Sequence, residues 1–193
     1  SEAEGLPTAL TPFIGRKDEQ LILDDRLAGG SRLISLVGPG GVGKTRLAIE
    51  VLRSTSGFRD GVAFVDLTNA RAESDMLAVM AEVLAHDAPQ SLADAFGRIV
   101  ETVGDREMCV VLDNFEQLVD TATDTIVRLL ERCPYLAFVV TSRSPLGVGA
   151  EDRVVLAGLA SPETDDPDPA SWPAVRLFIC LLYTSDAADE VSW

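Results

Sequence analysis

Apolar positions along this chain fall into two rhythms that alternate from residue 11 to about residue 159. Short apolar runs lie at 33–37, 62–66, 108–113, 136–141 and 153–156. Their length and their β-branched content are those of strands buried on both faces. Between them, apolar residues recur at helical spacing. Residues 18–27 predict a helix closed by Gly29-Gly30 as a C-cap, and residues 44–53 a helix opening directly from a glycine-rich turn. Residues 74–84 align Met76, Leu77, Met80, Val83 and Leu84 on one face. Residues 91–103 start with Ser91 and Asp94 in capping-box positions and direct Leu92, Phe96, Ile99, Val100 and Val103 inward. Residues 115–133 form one helix with Leu118, Val119, Ile126, Leu129 and Leu130 inside, until Pro134 stops it. Strands and helices in alternation predict a parallel sheet covered on both faces.

Beyond residue 160 the pattern changes. Residues 161–171 (SPETDDPDPAS) read as an extended acidic, proline-rich linker, and residues 172–179 as the first helix of a following domain, docked poorly in that domain's absence. The stretch from Cys180 to Glu190 resembles the translation of a transposon-derived sequencing adapter, so residues 180–193 are set aside from fold reasoning and the chain is expected to be a truncation.

The strongest chemical signal follows the first apolar run: Gly38-Pro39-Gly40-Gly41-Val42-Gly43-Lys44-Thr45, a GxxxxGK[ST] phosphate loop between a strand and a helix. Its glycines let backbone N–H groups turn inward around an anion, and the helix beginning near Gly43 adds its positive end. Lys44 supplies a point charge to β- and γ-phosphates, and the Thr45 hydroxyl can ligate Mg²⁺. With Arg46 at its end, this loop is the expected nucleotide-binding set. The run Cys109-Val110-Val111-Leu112-Asp113 ends in a carboxylate that can complete the Mg²⁺ site opposite Thr45, the Walker B form. A hydrolytic ATPase often has a glutamate directly after that aspartate; here the place holds Asn114, and Glu116 lies two residues further on. Glu116 is read either as a water-polarising base or as a first-turn residue favoured by a helix dipole. Thr141-Ser142-Arg143 closes the fourth run, and Arg143 is read either as a γ-phosphate contact or as a solvent-exposed loop residue.

Pro12-Phe13-Ile14-Gly15-Arg16, the phosphate loop, VVLDNFEQ and TSR followed by Ser144-Pro145-Leu146 together resemble a STAND-class P-loop ATPase. This is the NB-ARC-like, AAA+-related module of large bacterial transcription regulators of the SARP and LuxR type. The resemblance covers residues 11 to about 160. It implies a three-layer α/β/α sandwich with a five-stranded parallel sheet in the order 5-1-4-3-2, and ATP or ADP bound with Mg²⁺. It also implies that Phe13, Ile14, Gly15 and Arg16 lie over the adenine and ribose, although by charge alone Arg16 could pair with Asp18 or Glu19. Such modules continue into a helical domain with a Gly-x-Pro nucleotide contact and a winged helix, both expected outside this chain.

Composition narrows the function classes. The 193 residues are 47% hydrophobic and carry 16 basic against 31 acidic side chains, a net charge of −15. A core is affordable, wholesale disorder is excluded, and a broad basic face for nucleic acid is absent. No apolar run could cross a bilayer and no signal peptide is evident, so the expected compartment is the cytoplasm. Cys109, Cys133 and Cys180 show no metal or disulfide spacing, and the lone His86 suggests no catalytic or metal role. The leading expectation is a nucleotide-controlled switch with slow Mg²⁺-dependent ATP hydrolysis inside a transcription regulator. Its expected partners are nucleotide, the missing intramolecular domains and a second copy in the ATP state. The alternatives are a conventional P-loop ATPase or phosphotransferase whose turnover is the function, and a nucleotide-independent scaffold.

Overall fold

The computed structural model describes residues 6, 13–86, 91–158, 168 and 171–177. Five strands form its sheet: β1 (Leu33–Val37), β2 (Val62–Asp66), β3 (Met108–Asp113), β4 (Leu136–Ser142) and β5 (Asp152–Val155). All neighbouring strands are parallel, in the order β2-β3-β4-β1-β5. This is the expected 5-1-4-3-2 order read from the other edge. Parallel pairing brings every strand's carboxyl end to one rim, and β4 stands between the two strands that lead into the phosphate loop and Asp113.

Side-chain alternation along the strands divides the core in two. On one face Val65, Val110, Leu112, Leu136, Phe138 and Val140 meet α3 (Glu73–Ala85), α4 (Leu92–Val103) and α5 (Val119–Arg132). On the other, Ile34, Leu36, Cys109, Val111 and Val139 meet Leu23 of α1 (Lys17–Ala28) and Leu47, Ala48, Val51 and Leu52 of α2 (Lys44–Ser54). The result is three layers. Met76 and Met80 are wholly buried, as their spacing predicts.

Local signals behave as their chemistry requires. After α1, Gly30 takes a left-handed φ of 84°, its N–H bonds to Leu27 O, and that of Ser31 to Arg26 O, a Schellman closure. Ser91 Oγ accepts the Asp94 N–H at 3.1 Å. Two expectations need correction. Leu92 is 45% exposed, because the first turn of α4 projects past the edge of the core. The helix expected over 115–133 is broken into a 3₁₀ turn, Phe115–Gln117, and α5. Asn114 enters the turn at φ 64°, and the Leu118 N–H bonds back to Phe115 O at 2.9 Å, so Phe115 is buried while Glu116 faces the strand rim. The linker residues 161–167, the helix beyond residue 177 and the 180–193 tail lie outside the described residues, as does Pro12. Among those described, no helix is long and apolar enough to cross a membrane.

Candidate functional site

Strand β1 delivers the chain to Gly38 at the rim, and α2 leaves from Lys44. Between them Gly41 and Gly43 have φ values of 74° and 93°, a backbone that side-chain-bearing residues rarely adopt. This turn wraps the loop around its own interior. Lys44 Nζ lies across it, donating to Gly38 O at 2.9 Å and Pro39 O at 3.0 Å. Burial lowers the Lys44 pKa, with the cation of Arg143 adding to the effect and the carboxylates of Glu116 and Asp113 opposing it.

The second strand end is organised around Asp113, 6% exposed. Its Oδ1 accepts from Thr45 Oγ1 at 2.6 Å and from Thr141 Oγ1 at 2.5 Å, and its Oδ2 from Asn114 Nδ2 at 3.1 Å. Asn114 Nδ2 also donates to Thr68 Oγ1 at 2.8 Å, and its backbone N–H to Thr141 Oγ1 at 3.0 Å. Sequence reading singled out neither Thr141 nor the bridging role of Asn114. The signal was present: with β4 beside β3 and Leu112 level with Val140, Thr141 must stand next to Asp113.

Arg143 continues from β4 and is 67% exposed at its side chain, yet it is not isolated. Its Nε lies 3.2 Å from Glu116 Oε1, and its guanidinium reaches the loop so closely that a Cβ on Gly40 would stand 3.4 Å from Nη2. The loop after Arg143 is clamped by Glu151, whose enclosed carboxylate accepts the N–H groups of Leu146 at 2.8 Å and Gly147 at 3.0 Å and pairs with Arg153 Nε at 2.9 Å. Burial alone would raise the Glu151 pKa; these donors outweigh it and hold the carboxyl below its ordinary 4.5. The stabilisation is therefore complete above the unfolded-state pKa and disappears as pH falls through the lowered folded value. Thermal melts of Glu151→Gln should show a clear deficit at pH 7 that narrows as the pH falls below the ordinary carboxylate value of 4.5.

Phe13, Ile14 and Arg16 line a cavity of about 530 Å³ with the loop residues from Pro39 to Gly43, Arg46 and Gly158. The Arg46 guanidinium carbon lies 5.9 Å from the Phe13 ring centroid. Arg16 itself is buried and committed: it pairs with Glu19 at 2.9 Å and donates to Val42 O at 2.8 Å and Ala157 O at 2.7 Å. It therefore ties the entry loop to the phosphate loop and the exit of β5. Ala174 and Leu177 of the helical residues 173–177 also border the cavity, while no residue from 171 to 177 is fully buried.

These residues fit a nucleotide with its metal. The glycine loop presents an anion cradle, and the cavity is the size of an ordinary cofactor site. Thr45 and Asp113 offer the hard oxygen pair that Mg²⁺ takes. Among the described residues no His, Cys, Asp and Glu cluster offers another metal site.

Comparison with known proteins agrees with this geometry. Over 127 residues the chain is 42% identical to a Mycobacterium tuberculosis protein whose name assigns it to the HTH-type transcriptional regulators, covering 65% of this chain and 14% of that protein. An uncharacterized protein of the same species is 33% identical over 145 residues, 74% of this chain and 36% of the relative. The chain thus spans only a minor part of either relative's length. The Aeropyrum pernix ORC1 protein, solved in complex with DNA, shares the fold with a TM-score of 0.65 at 18% identity, over 95% of this chain and 62% of that one. Residues 27–145, from the end of α1 through the phosphate loop and Asp113 to the loop after Arg143, match the AAA domain model, and the chain belongs to that family of P-loop ATPase domains.

Proposed function

We propose that this chain is the nucleotide-dependent switch module of a larger, signal-responsive transcription regulator of the STAND, NB-ARC-like kind. In this reading it binds ATP or ADP with Mg²⁺ and hydrolyses ATP slowly. The observation that carries the reading is the convergence, on one glycine loop, of Lys44, the Thr45–Asp113 oxygen pair and the Arg143 guanidinium. When bound, Mg²⁺ neutralises phosphate charge and aligns the β- and γ-phosphates. Backbone N–H groups of residues 40–45 hold the phosphates, Lys44 adds a cation, and Thr45 and Asp113 hold the metal. Thr141 and Asn114 keep Asp113 in place for that task. Phe13, Ile14 and Arg46 line the part of the cavity that suits the base and sugar.

ATP and ADP differ by one phosphate, and Arg143 is the cation placed to register it. Slow turnover is supported by Asn114, an amide that cannot serve as a base, in the place next to Asp113. The name of the mycobacterial relative supports the regulator context. Residues 161–171 are the linker to the domains that would read the switch, and the compartment is the cytoplasm. Arg143→Ala should bring ATP affinity down to that of ADP while leaving ADP affinity within about twofold, as read by titration calorimetry. Equal losses for both nucleotides would refute the sensing role.

A further inference from the structure

The Arg143–Glu116 pair has a consequence for which nucleotide the site prefers, and it rests on the nucleotide reading above. Glu116 is an acidic residue among phosphate-facing cations: one carboxylate oxygen is 3.2 Å from Arg143 Nε, and its charge acts on Lys44. Its other oxygen, Oε2, is buried without a hydrogen-bond partner among the described residues. A carboxylate facing a triphosphate site costs affinity through like-charge repulsion except where a neighbouring cation neutralises it. The break between the 3₁₀ turn and α5 is what carries Glu116 to this position, where a continuous helix was expected. Arg143 in turn lies against Gly40 of the loop, so one guanidinium is shared between an internal anion and the place of a bound one.

We propose that Glu116 is an internal counter-ion that holds Arg143 in the absence of a terminal phosphate, so that the preference for ATP over ADP is set by an exchange of partners at Arg143. In binding a triphosphate Arg143 gives up Glu116 for the γ-phosphate. In binding a diphosphate Arg143 keeps Glu116, and the loop after β4 keeps its position. Glu116 thus subtracts from ATP affinity and spares ADP affinity, which keeps the two close enough for one to replace the other. Glu116 is a positioning residue that acts through Arg143.

The experiment is a binding cycle on the intact chain, with Mg²⁺, measuring ATP and ADP affinities for wild type, Glu116→Gln, Arg143→Ala and the double variant. Glu116→Gln preserves shape and should keep the wild-type thermal melt; Glu116→Ala serves as the second variant at the same position. Removing the carboxylate should raise the ATP-to-ADP affinity ratio by about fivefold or more, and this rise should vanish in the Arg143→Ala background. An unchanged ratio would mean that Glu116 has no part in the preference, and the same rise without Arg143 would mean that it acts by through-space charge alone; either result would overturn the exchange. If wild type binds neither nucleotide, the nucleotide reading itself fails and takes this inference with it. Normal binding with an unaltered ratio sinks the inference alone.

Discussion

Lys44→Ala should weaken both ATP and ADP binding by about 10- to 150-fold, the equivalent of a charged hydrogen bond worth about 1.5–3 kcal/mol. The ammonium is held over the loop by Gly38 O and Pro39 O, and in the proposed reading it meets the phosphates there. Its lowered pKa reflects partial burial, so part of the cost of enclosing the charge is already met in the folded chain. Because its fixed partners are two loop carbonyls, the variant should melt close to wild type. Calorimetry reads the affinity and a thermal melt the fold. Full nucleotide binding by a folded Lys44→Ala variant would remove Lys44 from the phosphate site, whereas unchanged function of a variant that has lost nucleotide would favour the nucleotide-independent scaffold.

Gly38→Ala should damage fold and site together. A Cβ there would stand 2.5 Å from Leu156 O and 3.1 Å from Val42 Cγ1. Neither side yields readily. The Leu156 N–H bonds to Val37 O at 2.7 Å, and the Gly38 N–H to Ser142 O at 3.2 Å, so both backbones are fixed by the sheet. Overpacking of this kind costs about 1–3 kcal/mol, and here the strain falls on the first residue of the phosphate loop. The expected result is a lowered melting temperature with nucleotide affinity reduced about tenfold or more. By contrast Gly41→Ala meets open space and carries only the strain of its φ of 74°, so it should be much milder. Similar behaviour of the two variants would contradict the steric argument.

The central strands β1, β3 and β4 were legible because each is an apolar run buried on both faces, whereas the edge strands β2 and β5 keep buried residues on one face only; four of the five end where an acid, hydroxyl or glycine marks the rim. The phosphate loop was legible because tight anion binding demands glycine at fixed spacing. The break at Leu118 was hidden because Leu118 and Val119 continue a helical apolar stripe, while Asn114 at φ 64° gives no periodic sign. Arg16 shows the limit of charge arithmetic: its pairing with Glu19 was one of two options, whereas its bonds to Val42 O and Ala157 O span sequence separations that only the fold closes. The same holds for Thr141 on Asp113 and for Glu116 on Arg143, contacts between strand ends far apart in sequence. The rim was readable strand by strand and the strand order was expected, but its wiring needed the register between strands and the path of the loops.

On the proposed reading the loop from Gly38 to Thr45, with Asp113, holds a magnesium-bound nucleotide. Titration calorimetry of the folded chain with ATP and ADP, with and without Mg²⁺, tests it most directly. Saturable binding that strengthens with Mg²⁺ in wild type, and loses that Mg²⁺ dependence when Thr45 and Asp113 are replaced, is the predicted result. A well-folded chain that shows no heat with either nucleotide would contradict it.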